Sequence, residues 1–248
     1  MLSRTWSRLA AMMAPSDGWL YRDAHYLVAD MEIDPAAARK WVPFPLRVAK
    51  KNGVALASIF LAFFPQSTFG STYHEAGLFL HVEHLGRRAI FSPWMLVDDD
   101  VALITGRELL GYPKKLGSID LAFDGDRVRG VAVRRGAKLL TMEGKLGERV
   151  LEPPPMLGRP HRNVRASLGL ALPKIIAFTP RERVIEVRRA HLEVTVGGSE
   201  RDPLSDLGFG AIRSAYLHRV DLGGTLPPIP VGVVNPATWV SQWLLRAH

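Results

Sequence analysis

The sequence predicts a mainly β (α+β) fold, closed or nearly closed, with a few peripheral helices. Three observations carry that expectation. Eighteen prolines and 22 glycines divide the 248 residues into short apolar runs. Several runs alternate or are rich in β-branched residues, the pattern of half-buried strands. Helix start signals are few. The 47% hydrophobic content is enough for one large core, and all-β chains of this length commonly form one domain. The expected organisation is a single domain over 1–248, with 1–18 as a flexible N-terminal arm.

In chain order, the start Met1–Pro15 has the look of a weak targeting peptide. Its apolar run Leu9–Ala14 is too short for a secretory core, and no small-residue cleavage site is clear. Asp34-Pro35 reads as an N-cap followed by proline at the first helical position, opening a helix to Trp41. Val128–Arg134 alternates, Arg135-Gly136 signals a turn, and Lys138–Gly144 returns, which together predict a β-hairpin. Glu152-Pro-Pro-Pro155 reads as a linker. Val184–Val196 is the longest strand signal, with Ile185, Val187, Arg189, His191, Glu193 and Thr195 on one face if the pairing is unbroken. Pro236–Arg246 predicts a C-terminal helix with a Trp239, Val240, Trp243, Leu244 stripe for core or oligomer contact. There is no internal repeat and no low-complexity tract.

Composition removes several function classes. With no cysteine there is no disulfide, zinc-thiolate site, iron–sulfur cluster or thiol nucleophile. The formal charge of +8 is scattered over pairs such as Arg87-Arg88, Arg134-Arg135 and Arg188-Arg189. That pattern favours a solvated basic surface or an anionic substrate over a nucleic-acid groove. No run reaches the roughly 18 apolar residues of a membrane span. The expectation is a cytoplasmic protein with no nucleic-acid or membrane partner.

The chemistry concentrates at the adjacent lysines Lys114 and Lys115, in Gly106-Arg-Glu-Leu-Leu-Gly-Tyr-Pro-Lys-Lys-Leu-Gly117. A lysine pair is ordinarily a solvated turn. Here the flanks Val101–Thr105 and Ile119–Phe123 are apolar and read as buried strand, and the Gly111-Tyr112-Pro113 approach fixes the backbone. A buried lysine loses its proton more readily, and a neutral amine can attack a ketone to form a Schiff base. Two ammoniums about 4 Å apart repel by roughly 4 kcal/mol at an effective dielectric of 20, and desolvation alone supplies a comparable effect. Neighbouring side chains on a strand point to opposite faces, so burial ranks before the second lysine as the cause of any depression.

Other candidates follow. Glu75, in Tyr73-His-Glu75, is placed to orient a substrate or shuttle a proton. Arg22 is suited to bidentate carboxylate binding. His81-Val-Glu-His84 looks like a metal fragment, but His84 leaves the face that His81 and Glu83 share. Asp98-Asp-Asp100 reads as a turn. No metal, cofactor fingerprint, phosphate loop or Gly-x-Ser-x-Gly elbow is evident.

The Gly-Arg-Glu lead followed by Tyr-Pro-Lys-Lys resembles the acetoacetate decarboxylase family. Weaker similarity continues at Asp34–Leu46, Thr72-Tyr-His-Glu-Ala-Gly77 and Arg183–Gly197, spanning roughly residues 20 to 235. The resemblance implies a closed antiparallel β-barrel or cone-like double sheet around a central apolar cavity, assembled as a homo-oligomer. It implies that Lys114 forms the Schiff base, that Lys115 helps keep it neutral, and that Glu75 is an active-site glutamate. The cation-activated lysine is this family's own standing example, so that role is inherited from the likeness. Two departures stand out. The family's second active-site glutamate falls at Phe60, and its N-terminal arginine falls near Ala24, two positions from Arg22, which shares a strand face with Ala24 and could substitute for it. The expected substrate contacts are Arg22, Phe60 and Tyr112. Phe60, Phe63 and Phe64 suggest a more apolar pocket and a bulkier keto acid.

The expected function is a carbon–carbon lyase, a decarboxylase of acetoacetate or a bulkier β-keto acid that uses a lysine iminium without a cofactor. One alternative is a pyruvate aldolase–dehydratase using the same lysine. Relatives of that kind tend to carry glutamine four residues earlier, where this chain has Leu110. The other alternative is a non-catalytic ligand-binding β-barrel.

Overall fold

The computed structural model describes residues 17–165, 172–223 and 228–240. Sixteen strands are assigned among them: β1 (Trp19–Ile33), β2 (Arg47–Val48), β3 (Lys50–Lys51), β4 (Val54–Phe64), β5 (Gln66–Ser67), β6 (Tyr73–His84), β7 (Arg87–Val97), β8 (Lys114–Leu116), β9 (Ser118–Asp124), β10 (Arg127–Arg134), β11 (Ala137–Arg149), β12 (His161–Arg165), β13 (Lys174–Phe178), β14 (Arg181–Val196), β15 (Ile212–Gly223) and β16 (Ile229–Val233). The helices are α1 (Pro35–Trp41) and α2 (Asp100–Leu110), with a further helical segment over 236–240.

The mainly β expectation holds, but hydrogen-bonded closure does not. The strands form one sheet in the order β16-β13-β12-β7-β6-β4-β1-β15-β14-β11-β10-β9, with free edges at β16 and β9. Nor is it wholly antiparallel, because β7 runs parallel to both β8 and β12. The sheet curls instead, and β9 comes to lie against β4, β6 and β7.

That curl gives the sheet two buried sides. On β4, Ala57, Ile59 and Leu61 enter a large first core, while Phe60, Ala62 and Phe64 enter a second. On β6, Ala76, Leu78, Leu80 and Val82 face the first core, while Tyr73 and Phe79 face the second. The period-2 alternation of strand side chains sorts these residues, and apolar residues at both phases bury both faces. The first core is completed by Ile119, Leu121, Leu139, Leu140 and Met142 from β9 and β11. The second is covered by Ala102, Met156, Leu157, Ile176 and Phe178.

Several local expectations are met. Asp34 caps α1, its carboxylate accepting from the Ala36 amide at 2.8 Å. The β10–β11 hairpin turns at Arg135 and Gly136, both at positive φ. Other expectations change. Val101–Thr105 is helix, not strand: Asp99 caps α2 by accepting from the Ala102 amide at 2.7 Å, and Gly111 closes it at φ 68. A short apolar run does not distinguish buried strand from helix, and the cap residues decide here. Glu152–Pro155 is no linker, because Met156 and Leu157 directly after it are buried in the second core. On β14 the register breaks between Val184 and Glu186. Ala190, Leu192, Val194 and Val196 then face the first core, leaving His191 and Glu193 exposed. Trp239 is buried, whereas Trp243 and Leu244 lie outside the described residues.

Candidate active site

Strand β8 lies beside β7, with Lys114 opposite Met95 and Lys115 opposite Leu96. Met95 belongs to the second core and Leu96 to the first. Adjacent positions on β8 therefore deliver the two ammonium groups into different cores, and both lysines are only 5% exposed.

Lys114 enters the second core. Its Nζ donates to Glu75 Oε2 at 2.6 Å and lies 5.5 Å from the Tyr73 ring centroid and 5.8 Å from that of Tyr112. Glu75 faces the same side as Tyr73 and Phe79 because all three occupy odd positions of β6. The lysine stem crosses α2 at Gly106. A Cβ there would stand 2.6 Å from both Cδ and Cε of Lys114, so this mid-helix glycine is required by close approach. Helix α2 also holds β8 from below, with Arg107 Nη1 donating to the Lys114 carbonyl at 3.1 Å.

The walls are aromatic. Phe60 is fully buried and pairs with Gly77 across β4 and β6. Its ring fills the space a Gly77 Cβ would take, stacks on Phe79 at 5.2 Å and meets Tyr26 at 5.7 Å. Phe60 thus lies on the face that carries Glu75, where the family's second glutamate was expected to fall. Burial pushes the phenols of Tyr26, Tyr73 and Tyr112 well above their ordinary range and Tyr21 up to about 12, with the Glu75 charge adding to each. All four are neutral hydroxyls around one carboxylate.

Lys115 is not brought to Lys114. Its Nζ pairs with Asp202 Oδ1. Arg134 Nη1 donates to the other carboxylate oxygen at 2.8 Å, and Trp94 Nε1 donates to Oδ1 at 2.9 Å. Burial lowers the Lys115 ammonium below the usual lysine range, against the pull of Asp202. Burial pushes the Asp202 carboxyl upward, yet its three donors outweigh that and hold it ionised. The expectation that Lys115 acts on Lys114 as a neighbouring charge is corrected, because strand alternation turns it away.

Arg22 is also turned away. Asp23 adopts φ 50, and the register shifts between Tyr21 and Ala24. The bulge puts Tyr21 and Ala24 on the second-core side and sends Arg22 outward, to Asp221 at 3.0 Å and to Asp17. The shared face expected for Arg22 and Ala24 depended on a regular strand.

Of the expected site residues, the fold gathers Lys114, Glu75, Tyr112 and Phe60 and leaves out Lys115 and Arg22. Sequence reasoning missed His161. It is fully buried and stacked on Phe178 at 4.6 Å, with Nε2 3.3 Å from the Leu157 carbonyl and Nδ1 3.3 Å from Tyr112 Oη. The carbonyl can only accept, so Nε2 carries the proton and Nδ1 accepts from Tyr112. Burial lowers this imidazole to about 3. Asp202 was missed as well, because its separation of 87 positions from Lys115 gives no sequence signal. No group of three or more His, Asp or Glu able to hold a metal occurs among the described residues, and His81 and His84 form no such site there. Asp98 binds the His74 amide at 2.7 Å and its ring at 2.9 Å.

The family model Acetoacetate decarboxylase (ADC) matches residues 4–227. Acetoacetate decarboxylase 1 of Mesorhizobium japonicum is 33% identical over 116 residues, 47% of this chain and 45% of that protein. The acetoacetate decarboxylase of Streptomyces nogalater is 34% identical over 122 residues, 49% of this chain and 48% of that one. The chain thus spans about half the length of the curated relatives it matches. Among solved structures, acetoacetate decarboxylase from Legionella pneumophila superposes with a TM-score of 0.72 at 17% identity, covering 90% of this chain and 89% of that one. An enduracididine biosynthesis enzyme complexed with pyruvate gives 0.69 at 17% identity, covering 83% and 88%. At such identities these structures share the fold.

Proposed function

We propose that this chain, which belongs to the acetoacetate decarboxylase family, is a carbon–carbon lyase that decarboxylates a β-keto acid through a Schiff base on Lys114. The observation that carries the reading is the buried pair of Lys114 Nζ and Glu75 Oε2 at 2.6 Å, enclosed by aromatic side chains. The Glu75 carboxylate accepts the proton that the Lys114 ammonium must lose. The neutral amine adds to the ketone carbon. The carbinolamine oxygen takes a proton and leaves as water, giving an iminium. The bond to the carboxylate carbon breaks, its electron pair flows into the iminium, and carbon dioxide departs. The enamine left behind takes a proton at carbon, and water then hydrolyses the new iminium to release the ketone and Lys114. These steps use no metal or organic cofactor. The apolar walls favour loss of charge from the substrate carboxylate as it becomes carbon dioxide.

Incubation with acetoacetate, and separately with pyruvate plus an aldehyde, tests the reading. Carbon dioxide release that is absent in Lys114→Ala supports it. A conjugated condensation product without carbon dioxide release would instead assign the aldolase–dehydratase chemistry. No turnover and no adduct in either mixture would leave a ligand-binding protein.

A further inference from the structure

The face that carries Glu75 continues along β6 to His81 and along β1 to Asp30, and it ends in a polar cluster that the proposed reaction does not use. Ser58 Oγ bonds to Asp30, and Ser214 Oγ donates to the other oxygen of Asp30 at 2.9 Å. His81 Nε2 lies 3.3 Å from Ser58 Oγ and 3.3 Å from Arg159 Nη1.

Two features mark this cluster as lacking an acceptor. The Arg159 guanidinium is held inward by a built loop. Glu182 accepts from the amides of Met156, Leu157 and Gly158 at 3.3, 2.7 and 2.8 Å, and Arg159 Nε donates to the Pro155 carbonyl at 2.8 Å. Yet Arg159 has no carboxylate within ion-pair distance among the described residues, unlike Arg22, Arg134, Arg149, Arg183 and Arg219. The second feature is a donor conflict at His81. Arg159 can only donate, and the Ser58 proton is committed to Asp30. An unprotonated Nε2 therefore suits Arg159 and opposes Ser58, while a protonated Nε2 suits Ser58 and opposes Arg159. An anion on the guanidinium would engage its donors and free His81 Nε2–H for Ser58.

We propose that Arg159 and His81 form a binding site for a carboxylate or phosphate group on the same sheet face as Lys114. Arg159 supplies the charge and a planar fork for two oxygens. His81 supplies the adjoining ring nitrogen. Six residue steps along β6 lead from Glu75 to His81, a span of about 20 Å at strand rise. A short keto acid does not bridge that distance. The anion is therefore either the far end of a long keto acid whose apolar body lies along Phe60 and Phe79, or a separate small anion. The first case rests on the proposed lyase reading, and the second does not.

Two arms separate the sources. Inorganic phosphate is titrated while the ring nitrogens of His81 are followed by NMR. Saturable shifts are expected, weakened at least tenfold in Arg159→Met and partly retained in Arg159→Lys, which keeps the charge if the methionine variant folds poorly. In parallel, borohydride trapping at Lys114 compares long keto acids of equal length ending in carboxylate or methyl. A preference for the carboxylate that falls about tenfold in R159M identifies the substrate tail. Phosphate binding without that preference identifies a free anion. If Lys114 traps neither compound while phosphate still titrates, the lyase reading fails and the anion site stands. Absence of a saturable shift with both phosphate and the carboxylate-ended compound, in folded wild-type protein, overturns the proposal.

Discussion

Lys114 and Lys115 are neighbours in sequence but occupy opposite environments. Lys114 meets one carboxylate and a wall of aromatic rings in the second core. Lys115 sits in the first, where Asp202 is also held by Arg134 and Trp94. The difference teaches that a reactive amine needs an environment with a single movable proton partner. A buried ion pair tied to several donors is a structural brace. It also removes direct ammonium–ammonium contact from the account.

The sharpest way to break the comparison is to remove each lysine in turn. Lys114→Ala is expected to abolish adduct formation while leaving the folded state intact by circular dichroism. Lys115→Met leaves Asp202 buried with less compensation and is expected to cost about 3–5 kcal/mol of stability by denaturant unfolding. Its folded fraction should still form the adduct. The second core also holds His161, lowered to about 3, and His218, lowered to about 4, both mainly by burial. The unfolded chain binds more protons than the native one below the ordinary histidine value of 6.5, so stability is full above it and falls as the pH drops. From pH 7 to pH 5 the two imidazoles together remove about 4 kcal/mol, and His161→Gln should flatten that slope in urea titrations.

Smaller effects test the geometry around Lys114. Gly106→Ala puts a methyl group into the lysine stem. The displaced amine is expected to lose about a hundredfold in rate with the chain still folded. Tyr112→Phe removes the hydroxyl that donates to His161 Nδ1 and should cost about 1 kcal/mol by thermal unfolding. If G106A turned over normally, the account of how α2 aims Lys114 would be wrong.

The sequence made part of this legible. The Tyr-Pro-Lys-Lys segment, the Asp34 helix and the β10–β11 hairpin could be read locally, because caps, turns and alternation are short-range signals. Glu75 and Phe60 were marked by the family resemblance, and strand alternation along β6 and β4 sets both on the site face in the structure. What escaped was non-local. The break at Asp23 redirects Arg22, and nothing in Tyr-Arg-Asp-Ala announces a bulge. Asp202 reaches Lys115 across 87 residues, and His161 reaches Tyr112 across 49. Helix α2 carried its signals in Asp99 and Gly111, and the apolar run between them masked these. Closure also lay beyond local reading, since nothing in β9 or β16 says whether the two edges meet.

The central claim is that Lys114, and not its neighbour, is the nucleophile. Borohydride reduction in the presence of acetoacetate, followed by peptide mass mapping, tests it most directly. The account predicts a reduced adduct on Lys114 in the wild-type protein and in Lys115→Met alike. An adduct on Lys115, or one on Lys114 that vanishes in folded Lys115→Met, would contradict it.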